Sequence, residues 1–122
     1  RGLIPLGKEL VVDPRYHPIH GDVFERLGGT VEKTYDVLLI DVDHSPDERL
    51  GETSDSFYGH AKLVLAAKHL KPGGVFAMWS TDESPEFEAE LRKTFQEVRV
   101  EPIEFFNATT DQEEQNWLFL AR

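Results

Sequence analysis

Tyr35-Asp36-Val37-Leu38-Leu39-Ile40-Asp41 opens the stretch whose reading decides the fold. An unbroken apolar run ends in a carboxylate. A polar, acidic segment follows, then apolar residues at helical spacing, then Leu70-Lys71-Pro72-Gly73-Gly74 and a second run, Val75-Phe76-Ala77-Met78-Trp79. The order reads as strand, acidic loop, helix, turn, strand. Apolar runs without alternation predict strands covered on both faces, as in a parallel sheet flanked by helices. A carboxylate at the carboxyl end of such a strand lies where open α/β sheets bind ligands.

Working outward, Ser54 or Asp55 is expected to cap the helix between the two runs, which reaches to about Leu70. Its inner stripe reads as Phe57, Ala61, Val64 and Leu65, widened by Leu63, Ala67 and Leu70. Pro72-Gly73-Gly74 stops it. Upstream, His17-Pro18-Ile19-His20 reads as a short strand, with Gly21-Asp22 at its exit. Asp22 then caps a helix over 23–27 that Gly28-Gly29 ends. Residues 1–16 allow two readings, the end of a helix broken by Pro5 and Gly7, or a short strand at Leu10-Val11-Val12. Downstream, Ser84 caps a helix with Pro85 at its first position and Glu86 in its first turn. Residues 98–105 alternate as a strand, 107–115 read as a polar turn, and 117–120 form the last strand. These two strands, with no helix between them, form an antiparallel hairpin at the sheet edge. Strand–helix alternation makes this an α/β domain.

The 122 residues suffice for one domain with a core. The formal net charge of −10 opposes nucleic-acid phosphates, and no basic cluster offsets it. No apolar run is long enough to cross a bilayer as a helix, and the first residues show no secretory pattern. Cysteine is absent, which removes disulfides, thiolate metal sites and cysteine nucleophiles. These features fit a cytoplasmic protein with neither nucleic acid nor membrane as a partner.

Together, Gly21-Asp22, the run Tyr35 to Asp41, Ser56-Phe57-Tyr58, Leu70-Lys71-Pro72-Gly73-Gly74-Val75 and the closing hairpin resemble the class I S-adenosylmethionine-dependent methyltransferase fold. Within it, they are most similar to the spermidine synthase-like (aminopropyltransferase) proteins. The resemblance spans about residues 17–121. It implies an incomplete Rossmann-like sheet of mostly parallel strands, with helices on both faces and a carboxy-terminal antiparallel hairpin. The family's glycine-rich cofactor loop and first strands have no counterpart in the chain. Residues 1–122 therefore read as a single domain, the carboxy-terminal part of a longer transferase, inactive by itself.

The resemblance also implies the chemistry. The parent would use S-adenosylmethionine or its decarboxylated form and pass a methyl or aminopropyl group to an amine or other small acceptor. Asp41 is the candidate catalytic residue, placed to orient a cationic amine and take its proton. Asp22 matches the family acid that accepts from the adenine amino group; a plain helix cap is its other reading. Asp43, His44 and Tyr58 are the candidate substrate-binding residues. One departure concerns the acceptor. The family usually carries Asp-x-x-Asp after the central strand, and here His44 stands where the second acid would be. Trp79 and Ser80, at the next strand end, border the same region.

Two further readings belong to other classes. Loss of the first strands would leave a sheet edge or apolar face bare, which suits a non-catalytic domain that forms homo-oligomers. Leu38-Leu39-Ile40-Asp41-Val42-Asp43 also mimics the aspartate motif of haloacid dehalogenase-type, Mg²⁺-dependent phosphatases, but a strand and helix precede it here, and the later acidic segment Asp111-Gln112-Glu113-Glu114 follows no clear strand. His17, His20, Asp41, Asp43 and His44 lack the spacing of a helical zinc motif, so no metal site is assigned.

Overall fold

The computed structural model describes residues 7–41 and 58–122. Eight elements follow in order: α1 (Gly7–Val12), α2 (Val23–Gly28), β1 (Tyr35–Asp41), α3 (His60–Ala67), β2 (Leu70–Ser80), α4 (Pro85–Thr94), β3 (Val98–Asn107) and β4 (Gln112–Ala121). The strands form one sheet in the order β1-β2-β4-β3. β1 and β2 are parallel, while β4 is antiparallel to both β2 and β3. The expectation of mostly parallel strands is met in direction: β1, β2 and β3 run the same way, joined through α3 and α4. β4 alone is reversed, inserted between β2 and β3, so that among the described residues one neighbouring pair is parallel. The closing hairpin is as expected.

Register places Ile40, Met78, Phe119 and Val100 in one row across the sheet, and Phe76 beside Ala121 in the next. These residues share a face with Leu27 of α2, Leu63 and Ala66 of α3, and Phe87 and Leu91 of α4 in one core cluster. Helices α2, α3 and α4 thus cover the same side of the sheet. The opposite side of β1 holds Val37 and Leu39, which are 57% and 66% exposed. Among the described residues the helices lie on one face of the sheet, so the expectation of cover on both faces is met on one. β1 ends the strand order, so its outer edge has no neighbouring strand among the described residues.

Local chemistry explains most boundaries. Asp22 Oδ1 accepts from the Phe24 and Glu25 amides and starts α2. Ser84 Oγ accepts from Phe87 N at 3.2 Å and starts α4, with Pro85 at its first position. The start of α3 has no such cap, because Gly59 occupies the cap position. Instead Glu90 Oε2, reaching across from α4, accepts from His60 N at 2.9 Å. Thr94 Oγ1 lies 2.8 Å from His60 Nδ1. The two helices are thereby tied end to flank. Ser54, Asp55 and Phe57 lie outside the described residues.

Several boundaries differ from expectation. The stripe of α3 is rotated: Leu63 and Ala66 are buried, while Ala61 and Val64 are exposed. Tyr58, which precedes the helix, is buried with Leu63 and Ala66. The helix also stops at Ala67 rather than near Leu70. Residues 17–20 are not a strand, since the sheet offers them no partner next to β1. Residues 10–12 finish α1. Finally, β3 and β4 run through the polar segment to a turn at 108–111, because a two-stranded ladder needs backbone pairing rather than apolar side chains. Asn107 Nδ2 and Thr110 Oγ1 donate to Glu114 across that turn.

Before the main ladder of β2, residues 71–74 bulge out, and the register resumes at Val37 opposite Val75. Gly73 sits at φ 77°, in the left-handed region. At Gly74 a Cβ would come within 2.9 Å of the Lys71 carbonyl oxygen and 3.1 Å of that of Asp36. The Pro-Gly-Gly turn is therefore a steric requirement for bringing β2 beside β1.

Candidate functional site

At the carboxyl end of the parallel pair, Asp41 closes β1 and stands opposite Trp79 of β2 in the register. Adjacent residues in register project to the same face, so the carboxylate and the indole share it. Asp41 is exposed. Trp79 is half-buried, and its Nε1 donates at 2.8 Å to Asn116 Oδ1 of β4, in the amide orientation that also lets Asn116 donate to the Gln115 carbonyl. One residue on, Ser80 is buried; its Oγ donates to the Asp82 carbonyl at 2.8 Å and accepts from Asp82 N. This serine closes the turn from β2 toward α4. The end of the sheet therefore presents one free carboxylate beside an anchored indole. A carboxylate held there can attract and orient a cationic group and accept a proton from it.

Asp22 is elsewhere. Its Oδ1 is committed to the α2 cap, at 2.9 Å from Phe24 N. It lines a cavity of about 380 Å³ with residues of α2, the segment leading into β1, and His69. Asp41 and Tyr58 are not among the lining residues. Tyr58 is 1% exposed, with its ring edge-on to Phe24 and Phe87 at centroid distances of 5.8 and 5.5 Å. It is a packing residue of the core. Asp43 and His44 lie outside the described residues. The structure thus does not gather the candidate residues into one pocket: Asp41 and Trp79 meet at the strand ends, and Asp22 caps a helix beside a separate cavity.

Two residues escaped the sequence reading. Asn116 falls between the expected turn and the expected last strand, and only the antiparallel pairing brings it to Trp79. His69 reads as a charge at the end of a helix, yet it is 4% exposed and its Nε2 has no hydrogen-bond partner among the described residues. No local signal marks it, because its burial comes from distant segments: Tyr35 N donates to the His69 carbonyl at 2.7 Å. A second cleft of about 690 Å³ lies among Arg92, Arg99 and Arg122. Each of these arginines is paired, with Glu88, Glu101 and Glu97 respectively.

Among the described residues no group of three or more His, Asp or Glu side chains can hold a metal ion. The acidic segment that a phosphatase would need is spent otherwise: Asp111 is a turn residue at φ 54°, and Glu114 accepts from Asn107 and Thr110. Among the described residues no helix is long and apolar enough to cross a membrane.

No protein-family model matches the chain, and no curated protein matches it. Solved structures do. Precorrin 8W decarboxylase from Methanobacterium thermoautotrophicum superposes with a TM-score of 0.59 at 17% identity, over 96% of this chain and 60% of that one. A candidate methyltransferase from Thermoplasma acidophilum overlaps with a TM-score of 0.41 at 14% identity, over 76% of this chain and 40% of that one. The present chain thus spans 60% of the length of the first of these structures. Likeness at this identity is likeness of fold, and on it the chain has a methyltransferase-like α/β fold with a mixed four-stranded sheet.

Proposed function

We propose that this chain is part of a class I S-adenosylmethionine-dependent transferase of the spermidine synthase-like kind. The observation that carries the reading is Asp41, exposed at the carboxyl end of β1 and in register with Trp79, within a methyltransferase-like sheet. When bound, S-adenosylmethionine or its decarboxylated form supplies an electrophilic carbon on a sulfonium. Asp22 and Asp41 do not share one pocket among the described residues, so each would meet a different part of such a cofactor. Asp22 commits Oδ1 to its helix cap, and a carboxylate has further acceptor capacity on its second oxygen for an adenine amino group. Asp41 orients the acceptor and takes the proton that the acceptor nitrogen loses. Asp43 and His44, which follow Asp41 in sequence, assist the acceptor. A glycine-rich loop for the rest of the cofactor is absent from the sequence, so activity belongs to a longer parent.

Calorimetric titration of the 122-residue chain with both cofactors tests this. Neither is expected to bind at micromolar concentration; micromolar binding by this chain would defeat the division of the site. In the longer protein, Asp41→Asn lowers turnover about 10²–10⁴-fold with little change in cofactor affinity. Equal turnover in that variant rules out the role given to Asp41.

One observation favours a second reading, a non-catalytic domain that assembles through β1. Val37 and Leu39 are exposed on a strand that ends the sheet order. Exposed strand edges pair with other chains. A monomer in sedimentation at working concentration counts against it.

A further inference from the structure

The sheet order ends in β1 on one side and β3 on the other, and among the described residues neither outer edge has a neighbouring strand. The two edges differ. Along β3, Pro102 has no N–H to offer, and Glu101 and Glu104 stand on either side of it. Prolines and charges of this kind blunt a sheet edge. The centre of β1 carries neither device: Val37-Leu38-Leu39-Ile40 is uncharged and free of proline. Val37 and Leu39 are more than half exposed there.

Charge decides what can pair with that edge. A net charge of −10 makes two copies of the chain repel overall, so a contact between them must be local and complementary. β1 meets this condition with itself. Asp41 closes the strand at one end, and Lys33 stands two residues before the other, its Nζ 5.5 Å from the centroid of the Tyr35 ring. Neither forms an ion pair among the described residues. Antiparallel pairing of β1 with a second β1 brings the acid of each copy to the lysine of the other. Asp36, the remaining acid of the strand, already has Lys71 Nζ at 3.6 Å.

The register follows from the same residues. A slip of one residue would set Val37 and Leu39 against inward-facing residues of the other copy, so registers differ by two. One of them sets Lys33 opposite Asp41 of the second copy, Tyr35 opposite its Leu39, and Val37 opposite its own equivalent. Shifted by two in either direction, Asp41 faces Tyr35 or Val31 instead, and the ion pair is lost. A two-fold contact repeats every such pair, so the complementarity counts twice. We propose that two copies of this chain join through β1, antiparallel and with Val37 at the two-fold axis, so that two four-stranded sheets become one continuous sheet. The proposal rests on the assembly reading above and adds its partner, direction and register.

The chain contains no cysteine, so single cysteines report the pairing on the 122-residue protein. Directly opposed residues of antiparallel strands have Cα atoms about 4.5–5.5 Å apart, within disulfide reach. Val37→Cys, oxidised at a concentration where sedimentation shows the dimer, cross-links nearly completely. Leu39→Cys stays uncross-linked, because the two copies of residue 39 lie about 14 Å apart along the strands. Asp41→Lys and Lys33→Glu each raise the dimer Kd at least about tenfold, and the two together return it to within about threefold of the original. A monomer in sedimentation defeats the assembly reading and this proposal together. A dimer that lacks the Val37 cross-link, cross-links equally at Leu39, or ignores the charge reversals keeps assembly and overturns the pairing.

Discussion

In β2, Phe76 and Met78 are fully buried and Ala77 nearly so, while in β1 Leu38 and Ile40 turn inward and Val37 and Leu39 remain more than half exposed. Both strands are continuous apolar runs of similar length. They differ in what lies beside them. β2 has a strand on each side, β1 and β4, and the helices over its inner face. β1 has the same helices over one face and ends the strand order. An apolar run therefore reports that a strand is wanted in a sheet, not that both of its faces are covered.

Substitutions can break or sharpen this contrast. The largest effect is expected from Phe76→Ala in β2. It removes a ring that stacks near Phe95 at 5.8 Å and should cost about 3–5 kcal/mol in denaturant unfolding. Ile40→Ala, on the inward face of β1, should cost about 2–5 kcal/mol, since its site is as closed as those of β2. A loss near zero at Ile40 would mean that β1 is loosely held throughout.

A smaller effect comes from the helix cover. Hydrogen bonding to Lys93, aided by the His60 amide, holds the Glu90 carboxyl below its ordinary value against the opposing effect of burial. The native state thus favours the charged form. Its contribution is complete above the unfolded carboxylate pKa and is lost as pH falls through the lower folded value. Glu90→Gln should cost about 0.2–1 kcal/mol at neutral pH. The difference from the unmodified protein should shrink below about pH 4.3. A difference that is constant with pH would remove the ionic part of the tie between α3 and α4.

The smallest stability change is expected at the bare face. Leu39→Ser should leave unfolding within about 0.5 kcal/mol. If β1 is an assembly surface, the same variant reduces self-association in sedimentation. A cost comparable to that of Ile40→Ala would show that something covers this face in solution.

Much of the fold was legible because its signals are local. Asp22 and Ser84 announce helix starts through side-chain oxygens that only a cap can use well. Pro72-Gly73-Gly74 announces a turn that Gly74 alone can fit against the Asp36 and Lys71 carbonyls. The site was legible only in part. Asp41 stands at its strand end as expected, but Tyr58 reads as a pocket aromatic and is a core ring. The partner of Trp79 lies 37 positions downstream, at Asn116, between the expected turn and the expected last strand. The stripe of α3 was misplaced because only packing selects which of several apolar residues on a helix enter the core, here Leu63 and Ala66.

By itself the sequence determined the alternation of strands and helices, the caps, the obligatory glycine turn and the carboxylate at the end of β1. These depend on backbone sterics and on hydrogen bonds between residues a few positions apart. Tertiary structure alone decided that β4 lies between β2 and β3, that among the described residues β1 ends the order with one face exposed, and that His69 is buried. Those outcomes depend on which distant segments share a face, and a side chain carries no local mark of the neighbour it will meet.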